Sequence, residues 1–265
     1  REQTRPEGGS NSYRSTGATL AWRPYQGALI AAFAGLFTNA DDEAHVTLYP
    51  AVGLLPPPVP RGVFLGQDWT DKNSRTVSGG MIAKLPFGSW LAEAGLFKFG
   101  IRNRTNFADY LVGVTADGAA TNRVVIYDPG SETNSVSGEG RLTRIWQVGS
   151  MQHRLVVSAR GRVKDRLFGG TQRIDLGPSS ALLPDFRPEP TLLPQVKDKD
   201  HVRQMSFGLA YGFKWLNHGS LDLSVSRAQY SKQINFANTS LPSVLTKDTP
   251  ILFTASSTIL SCPGL

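Results

Sequence analysis

Cysteine is nearly absent from this sequence. Cys262 is the only one in 265 residues, which excludes an internal disulfide and any cysteine-rich metal centre. Histidine is scarce as well: His45, His153, His201 and His218 are widely separated, with no His-x-x-x-His spacing to seat a metal ion. No Gly-x-Ser-x-Gly elbow and no Walker-type phosphate loop occurs, so hydrolase and nucleotide-binding chemistry have no anchor. No catalytic residue and no cofactor is implied. Long apolar runs are also missing. The best is Gly27 to Phe37 (GALIAAFAGLF), 11 residues where a spanning helix needs about 20. Eleven residues is instead the length of a membrane-spanning β-strand. A buried helix or a signal-peptide core are the alternatives, but no basic leader or cleavage site flanks the run. Charge of one sign does not collect either. The formal charge is +7, yet Lys and Arg are scattered rather than gathered in a stripe with interleaved aromatics, which argues against nucleic acid as a partner.

What the sequence does contain is alternation. At 40% hydrophobic and 18% charged it has the composition of a folded protein, and 27 Gly and 17 Pro with few helical heptads lean towards β structure. From Arg203 to Tyr230 it reads as two strands and a tight turn. Met205, Phe207, Leu209, Tyr211, Phe213 and Trp215 fall on one face, against Gln204, Ser206, Gly208, Ala210, Gly212 and Lys214 on the other. Leu216-Asn217-His218-Gly219 supplies the turn, and Leu221, Leu223 and Val225 resume the pattern against Ser220, Asp222, Ser224 and Ser226. A soluble sandwich hairpin shows the same alternation, so the repeat of the pattern decides.

It repeats. Turn signals recur at Arg23-Pro24-Tyr25-Gln26-Gly27, Pro86-Phe87-Gly88-Ser89, Val148-Gly149-Ser150 and Asn217-His218-Gly219, with a fifth candidate at Cys262-Pro263-Gly264. Between the hairpins lie polar, Pro- and Gly-rich connections: 38–77, 102–138, 164–202 and 232–250. The second of these holds a hairpin of its own, Tyr110–Thr115 and Arg123–Tyr127 about Asp117-Gly118. Such long connections count against a compact soluble sandwich. Short turns at one end and long loops at the other are the pattern of an outer-membrane barrel, with the turns periplasmic and the loops extracellular. Trp22, Trp90, Trp146 and Trp215 each lie within about three residues of a short turn, as an interfacial aromatic girdle requires. Only Trp69 lies elsewhere. The bland alternative is that Trp fills the ends of a core.

Two charges break the apolar face. Arg144 falls beside Leu142 and Trp146, which calls for a bulge or for snorkelling of its side chain, and Lys98 raises a similar difficulty. The acidic run Asp41-Asp42-Glu43 reads as a solvated or lipopolysaccharide-proximal surface rather than a calcium site. Arg141, Arg154, Arg160 and Arg162 share the polar face and form the candidate ligand-binding set, where guanidiniums facing water would orient an anion. The alternative is that they pair with Glu93, Glu139, Asp222 or carboxylates elsewhere.

Several segments resemble TonB-dependent outer-membrane receptors: Arg23-Pro24-Tyr25-Gln26-Gly27, Gly95-Leu96-Phe97, Ser137-Gly138-Glu139-Gly140-Arg141-Leu142-Thr143-Arg144, Arg160-Gly161-Arg162, Phe168-Gly169-Gly170 and Thr249-Pro250-Ile251-Leu252-Phe253-Thr254-Ala255. The resemblance spans most of the chain. It implies a Gram-negative outer-membrane location, energised uptake of a scarce ligand such as a ferric siderophore, coupling to the TonB-ExbB-ExbD complex, and contact with outer-membrane lipid and lipopolysaccharide. The expected fold is all-β: an antiparallel up-and-down meander, with residues 1–265 forming part of one transmembrane barrel. About eight or nine strands are expected against roughly 22 in a complete transporter. The N-terminus reads as the middle of a longer chain, and no plug domain, TonB box or terminal aromatic strand is found. The competing function classes are a surface-exposed or soluble β-module of adhesin-like or carbohydrate-binding type, and a passive porin-like barrel.

Overall fold

The computed structural model describes residues 2–4, 8–56, 58–193, 196–215 and 218–259, with only the backbone described for 2–4. Leu216 and Asn217 of one anticipated turn, and all of Cys262-Pro263-Gly264, lie outside the described residues. Among the described residues, fourteen strands make one unclosed sheet. They are β1 (Glu2–Thr4), β2 (Ser10–Trp22), β3 (Leu29–Glu43), β4 (Val46–Pro50), β5 (Asp71–Phe87), β6 (Trp90–Val114), β7 (Ala119–Asp128), β8 (Ser131–Val148), β9 (Met151–Phe168), β10 (Gln172–Ser180), β11 (Asp198–Trp215), β12 (Gly219–Asn235), β13 (Val244–Asp248) and β14 (Ile251–Ile259). No helix occurs among the described residues, and the run at 27–37 lies mostly within β3 rather than in a helix.

Nine strands form an antiparallel up-and-down ladder in the order β2-β3-β5-β6-β8-β9-β11-β12-β14. β12 is shared at its far edge: β14 pairs with its turn-end half and β13 with its loop-end half, the break falling at Thr249-Pro250, where proline has no N–H to give the ladder. At one end the connections are tight, with only Gly88-Ser89 between β5 and β6 and Gly149-Ser150 between β8 and β9. Both of those glycines hold positive φ, which the two-residue hairpin needs. At the other end run the long connections.

The ladder has two unlike faces, because neighbouring strands in register place their side chains on the same side. One face carries Leu20, Trp22, Met81, Leu96, Val157, Phe207, Leu209, Leu223 and Phe253, all open to solvent, with Leu20 and Phe253 both 74% exposed. The opposite face of β8 to β12 carries Ser, Gly, Thr, Glu and Arg. Total accessible surface is 16992 Å², whereas a compact monomer of this mass exposes roughly 11,000 Å². A sheet with this much bare apolar surface requires a covering other than water.

The buried core lies away from the ladder. All the buried apolar residues described, Ala28 excepted, belong to a layer at the long-loop end. There β6 runs on past the ladder to pair with β7, β7 pairs with β10, and β4 adds to β6 in parallel. Phe107 stacks on Tyr127 at 5.0 Å and meets Trp69 edge-on at 5.7 Å. The hairpin anticipated about Asp117-Gly118 is present as the end of β6 and the start of β7. Otherwise the strands run deeper into the polar connections than alternation indicates. β3 reaches Glu43, β6 passes through Arg102 without interruption and β9 reaches Phe168. The reason is physical: where both faces of a strand meet water or loop, backbone pairing persists but the two-residue hydrophobic period disappears.

Candidate functional site

β8, β9, β11 and β12 bring the four arginines onto one face, through the registers Glu139↔Arg160, Arg141↔Ser158 and Ser206↔Arg160. They divide into two kinds. Arg141 donates to Glu139 at 2.9 Å, and Arg154 donates to Asp222 at 2.9 Å, reaching across β11. The second pair depends on Gly212, which lies between the two partners: a Cβ there would stand 2.6 Å from Asp222 Oδ1 and 3.3 Å from Arg154 Nε. All four side chains are about half exposed, so these are solvated pairs of modest strength. Arg160 and Arg162 differ. Their Nε atoms donate to the hydroxyls of Ser206 (3.1 Å) and Ser135 (3.2 Å), and among the described residues neither has a carboxylate in ion-pair contact. Glu93 also makes no ion pair with them.

Arg160 and Arg162 line a hollow of about 270 Å³ with Phe97, Ser137, Glu139 and Gln204. Phe97 gives it an aromatic wall by lying over two glycines. A Cβ at Gly80 or Gly95 would sit 2.7 or 2.8 Å from its ring. A hollow with two guanidiniums and one aromatic ring can hold a flat or oxyanionic group by charge-assisted hydrogen bonds and stacking.

At the long-loop end, the loop layer is fastened around a buried arginine. Arg123 and Asp109, on adjacent strands β7 and β6, form a fully buried pair, with Nε to Oδ1 at 3.0 Å and a second contact at 2.5 Å. Arg123 also donates to the carbonyls of Leu65 (2.6 Å) and Asp185 (3.1 Å), gathering two long connections. Gln67, with no exposed surface, completes the fastening by donating to Asp185 O and accepting from Arg187 N. Burial pushes the Asp109 carboxyl up, against the hydrogen bonds and charge of Arg123, which pull it down. Sequence reasoning missed this group. The only sign was a charge at the start of each hairpin arm, Asp109 just before one and Arg123 opening the other, and nothing local shows that Leu65 and Asp185 come to meet them.

The acidic run lies at the top of β3. Glu43 accepts from the Ser10 amide and hydroxyl, and Asp42 accepts from Asn39. Among the described residues no cluster of ligating side chains is arranged to hold a metal ion. Asp71, the register partner of Glu43, has its carboxyl raised above 3.8, first by burial and then by Asp41, Glu43, Asp42 and Asp68. A raised carboxylate contributes stability below its unfolded value that is lost as pH rises through the folded one. Asp71→Asn is therefore expected to raise the melting temperature near neutral pH and to change nothing below about pH 4. Melting curves at the two pH values check it, and equal effects at both would refute the assignment.

Arg144 stands on the apolar face, with no register shift in either flanking ladder. No bulge is needed. Its guanidinium lies 5.2 Å from the Trp90 ring and 5.5 Å from Trp146, at the turn end of the sheet. His153 stacks on Trp146 at 5.2 Å and bonds to the Tyr211 hydroxyl at 2.7 Å. Trp22, Trp90, Trp146 and Trp215 thus line the tight-turn rim, while Trp69 donates to Arg187 O in the loop layer.

No family model matches the chain, and no curated protein matches it in sequence. Solved structures do match in fold. The siderophore receptor PiuA from Acinetobacter baumannii superposes with a TM-score of 0.71 at 12% identity, over 97% of this chain and 41% of that one. The fold, an antiparallel meander in one unclosed sheet, is similar to that of outer-membrane receptor barrels. The ferric preacinetobactin receptor BauA, also from A. baumannii, gives 0.68 at 17% identity, over 91% of this chain and 37% of its own. FpvA of Pseudomonas aeruginosa, solved with a heterologous pyoverdine and iron, gives 0.70 at 14% identity, over 99% and 35%. The chain spans about two fifths of these receptors or less. PiuA is named as a siderophore receptor, BauA as a ferric preacinetobactin receptor, and the ferripyoverdine receptor of P. aeruginosa as a receptor of the outer membrane.

Proposed function

We propose that this chain is a portion of a TonB-dependent transporter barrel, residues 1–265 supplying part of the wall of one transmembrane domain. The observation that carries this is the nine-strand ladder with a bare apolar face on one side and a cationic face on the other. Lipid covers the first and the water-filled lumen meets the second. The unpaired edges of the sheet must join further strands, because hydrocarbon does not tolerate open backbone groups. The tight turns face the periplasm, and the fastened loop layer faces outwards. A scarce anionic ligand such as a ferric siderophore is captured at the loops and passes down the cationic face, while TonB-ExbB-ExbD supplies energy through other parts of the protein.

Arg160 and Arg162, which among the described residues have only hydroxyl partners, do more for an anion than Arg141 and Arg154, whose charges are already answered. Replacing both with Gln in the complete protein is expected to weaken binding of the anionic ligand roughly 10- to 100-fold, on the scale of one or two charge-assisted hydrogen bonds. Arg141→Gln should have a smaller effect. Titration of ligand-induced fluorescence quenching measures both, and equal effects would refute the division of roles. For orientation, single cysteines at Val52, Ala119 or Ser150 in a Cys262→Ser background are treated with impermeant thiol reagent on intact cells. Val52 and Ala119 should label and Ser150 should not; the reverse would invert the assignment. Uptake that persists without membrane energy would favour a passive barrel.

A further inference from the structure

We propose that the ligand taken by this wall is an amphiphile, an anion that carries an alkyl chain. Its head group sits in the hollow of Arg160 and Arg162, and its chain lies on an apolar shelf beside that hollow. This rests on the reading of the cationic face as a lumen wall and deepens it. The wall is not uniform along the sheet. β9 places Arg154, Arg160, Arg162, Lys164 and Arg166 on this face, whereas β3, β5 and β6 place Leu29, Phe33, Ile82, Phe97 and Phe99 on the same side. Phe33, Ile82, Phe97 and Phe99 are each between 38% and 42% exposed. They stand on the opposite side from the face assigned to lipid, so bilayer chains do not reach them, and the shelf calls for another apolar cover.

Register joins the two chemistries. Phe33, Gly80, Phe97, Ser137 and Arg162 form one row across the sheet, and Ile82, Gly95, Glu139 and Arg160 form the next. Phe97 therefore stands two strand spacings from Arg162, roughly 10 Å, and Phe33 stands four, roughly 19 Å. Glycine makes the shelf low. A Cβ at Gly80 would stand 2.7 Å from Phe97 Cδ1 and 3.0 Å from Phe33 Cε1, so both rings lie down over the strand between them. A second hollow, of about 370 Å³, opens on the side of Phe97 away from Arg160 and Arg162, with Leu29, Ile82 and Gly95 in its lining. Phe97 and Glu139 belong to both hollows, and the charge of Glu139 is answered by Arg141 at 2.9 Å. Lys84 and Glu93, which are register partners, close the lower edge. Between that edge and the row of Phe33 and Phe97, no side chain on this face of β3, β5 and β6 can form a hydrogen bond. A polar or chelating group laid there would lose its partners in water, whereas an alkyl chain needs none. Length also favours a chain: Leu29 lies four residues from Phe33 along β3, roughly 13 Å, further than a single ring extends.

The test uses the complete protein containing this chain, held in lipid nanodiscs and titrated calorimetrically with inorganic phosphate and with butyl, hexyl and octyl phosphate. Empty nanodiscs correct for what dissolves in lipid. Affinity is expected to rise roughly two- to fourfold with each methylene added, the scale of burying part or all of that group, so octyl phosphate should bind at least about tenfold more tightly than butyl phosphate. The variant F33A/I82A should bring that ratio below about threefold, and its binding of inorganic phosphate shows that the head-group hollow is still formed. R160Q/R162Q should weaken binding of every phosphate and leave the octyl-to-butyl ratio as it is in the wild type. Equal binding of butyl and octyl phosphate by the wild type overturns this inference, because the shelf is then covered by another part of the protein. A ratio that survives F33A/I82A overturns it too, because the chain then lies elsewhere. Phosphate binding that ignores R160Q/R162Q overturns the head-group hollow of the proposed function as well; binding that needs the two arginines but ignores chain length overturns this inference alone.

Discussion

Arg123→Ala is expected to loosen the loop layer by about 3–5 kcal/mol, the cost of leaving one member of a buried ion pair without its partner. The loss exceeds that of an ordinary pair because Arg123 also satisfies the carbonyls of Leu65 and Asp185, which would be left with fewer donors. With the guanidinium gone, only the backbone hydrogen bond from Gln67 still opposes burial at Asp109, and its carboxyl rises further. Hydrogen exchange at 65–70 and 181–187 measures the change directly. Each 1.4 kcal/mol is a factor of ten, so opening should become roughly two to three-and-a-half decades more frequent. Exchange in β9 and β11 should not move, since the ladder makes its own hydrogen bonds. Unchanged protection in the two connections would show that apolar packing around Phe107 and Trp69 holds the layer by itself.

The second large effect separates the two faces at adjacent positions. Leu223 lies four residues beyond Gly219, at roughly 10 Å above the turn rim, near the middle of the apolar band. Leu223→Arg is expected to cost about 2–4 kcal/mol in a bilayer. Ser224 points to the cationic side, where its hydroxyl meets that of Thr254 at 2.5 Å. Ser224→Arg loses that hydrogen bond, about 1 kcal/mol, and places its charge in water. Denaturant titration of the protein refolded into lipid vesicles gives both values. Equal costs at 223 and 224 would remove the ground for assigning either face. This contrast bears on the whole functional reading, because the arginine face is a lumen wall only if the other face is covered by lipid.

Much of this was legible in the sequence because it is local. A strand's two faces are set by the parity of its residues, so the separation of Leu209, Leu223 and Val225 from Ser206, Gly208 and Ser224 follows from alternation alone, as do the tight turns at Gly88 and Gly149 and the tryptophans beside them. The shared face of Arg141, Arg154, Arg160 and Arg162 follows from the same parity once β8 and β9 are joined by a two-residue turn. What the arginines do there required the tertiary structure. Arg154 finds Asp222 across a strand that Gly212 leaves open, 68 residues away, while Arg160 and Arg162 find the hydroxyls of Ser206 and Ser135. The loop layer was hidden for a related reason. Its strands pair β4 with β6 in parallel and β7 with β10, and its fastening joins Leu65, Asp109, Arg123 and Asp185. No residue carries a mark of partners that lie up to 120 positions away. Periodicity reports which side of a strand meets water. It cannot report which charge on that side meets which other, because that is fixed by register and by the packing of distant segments.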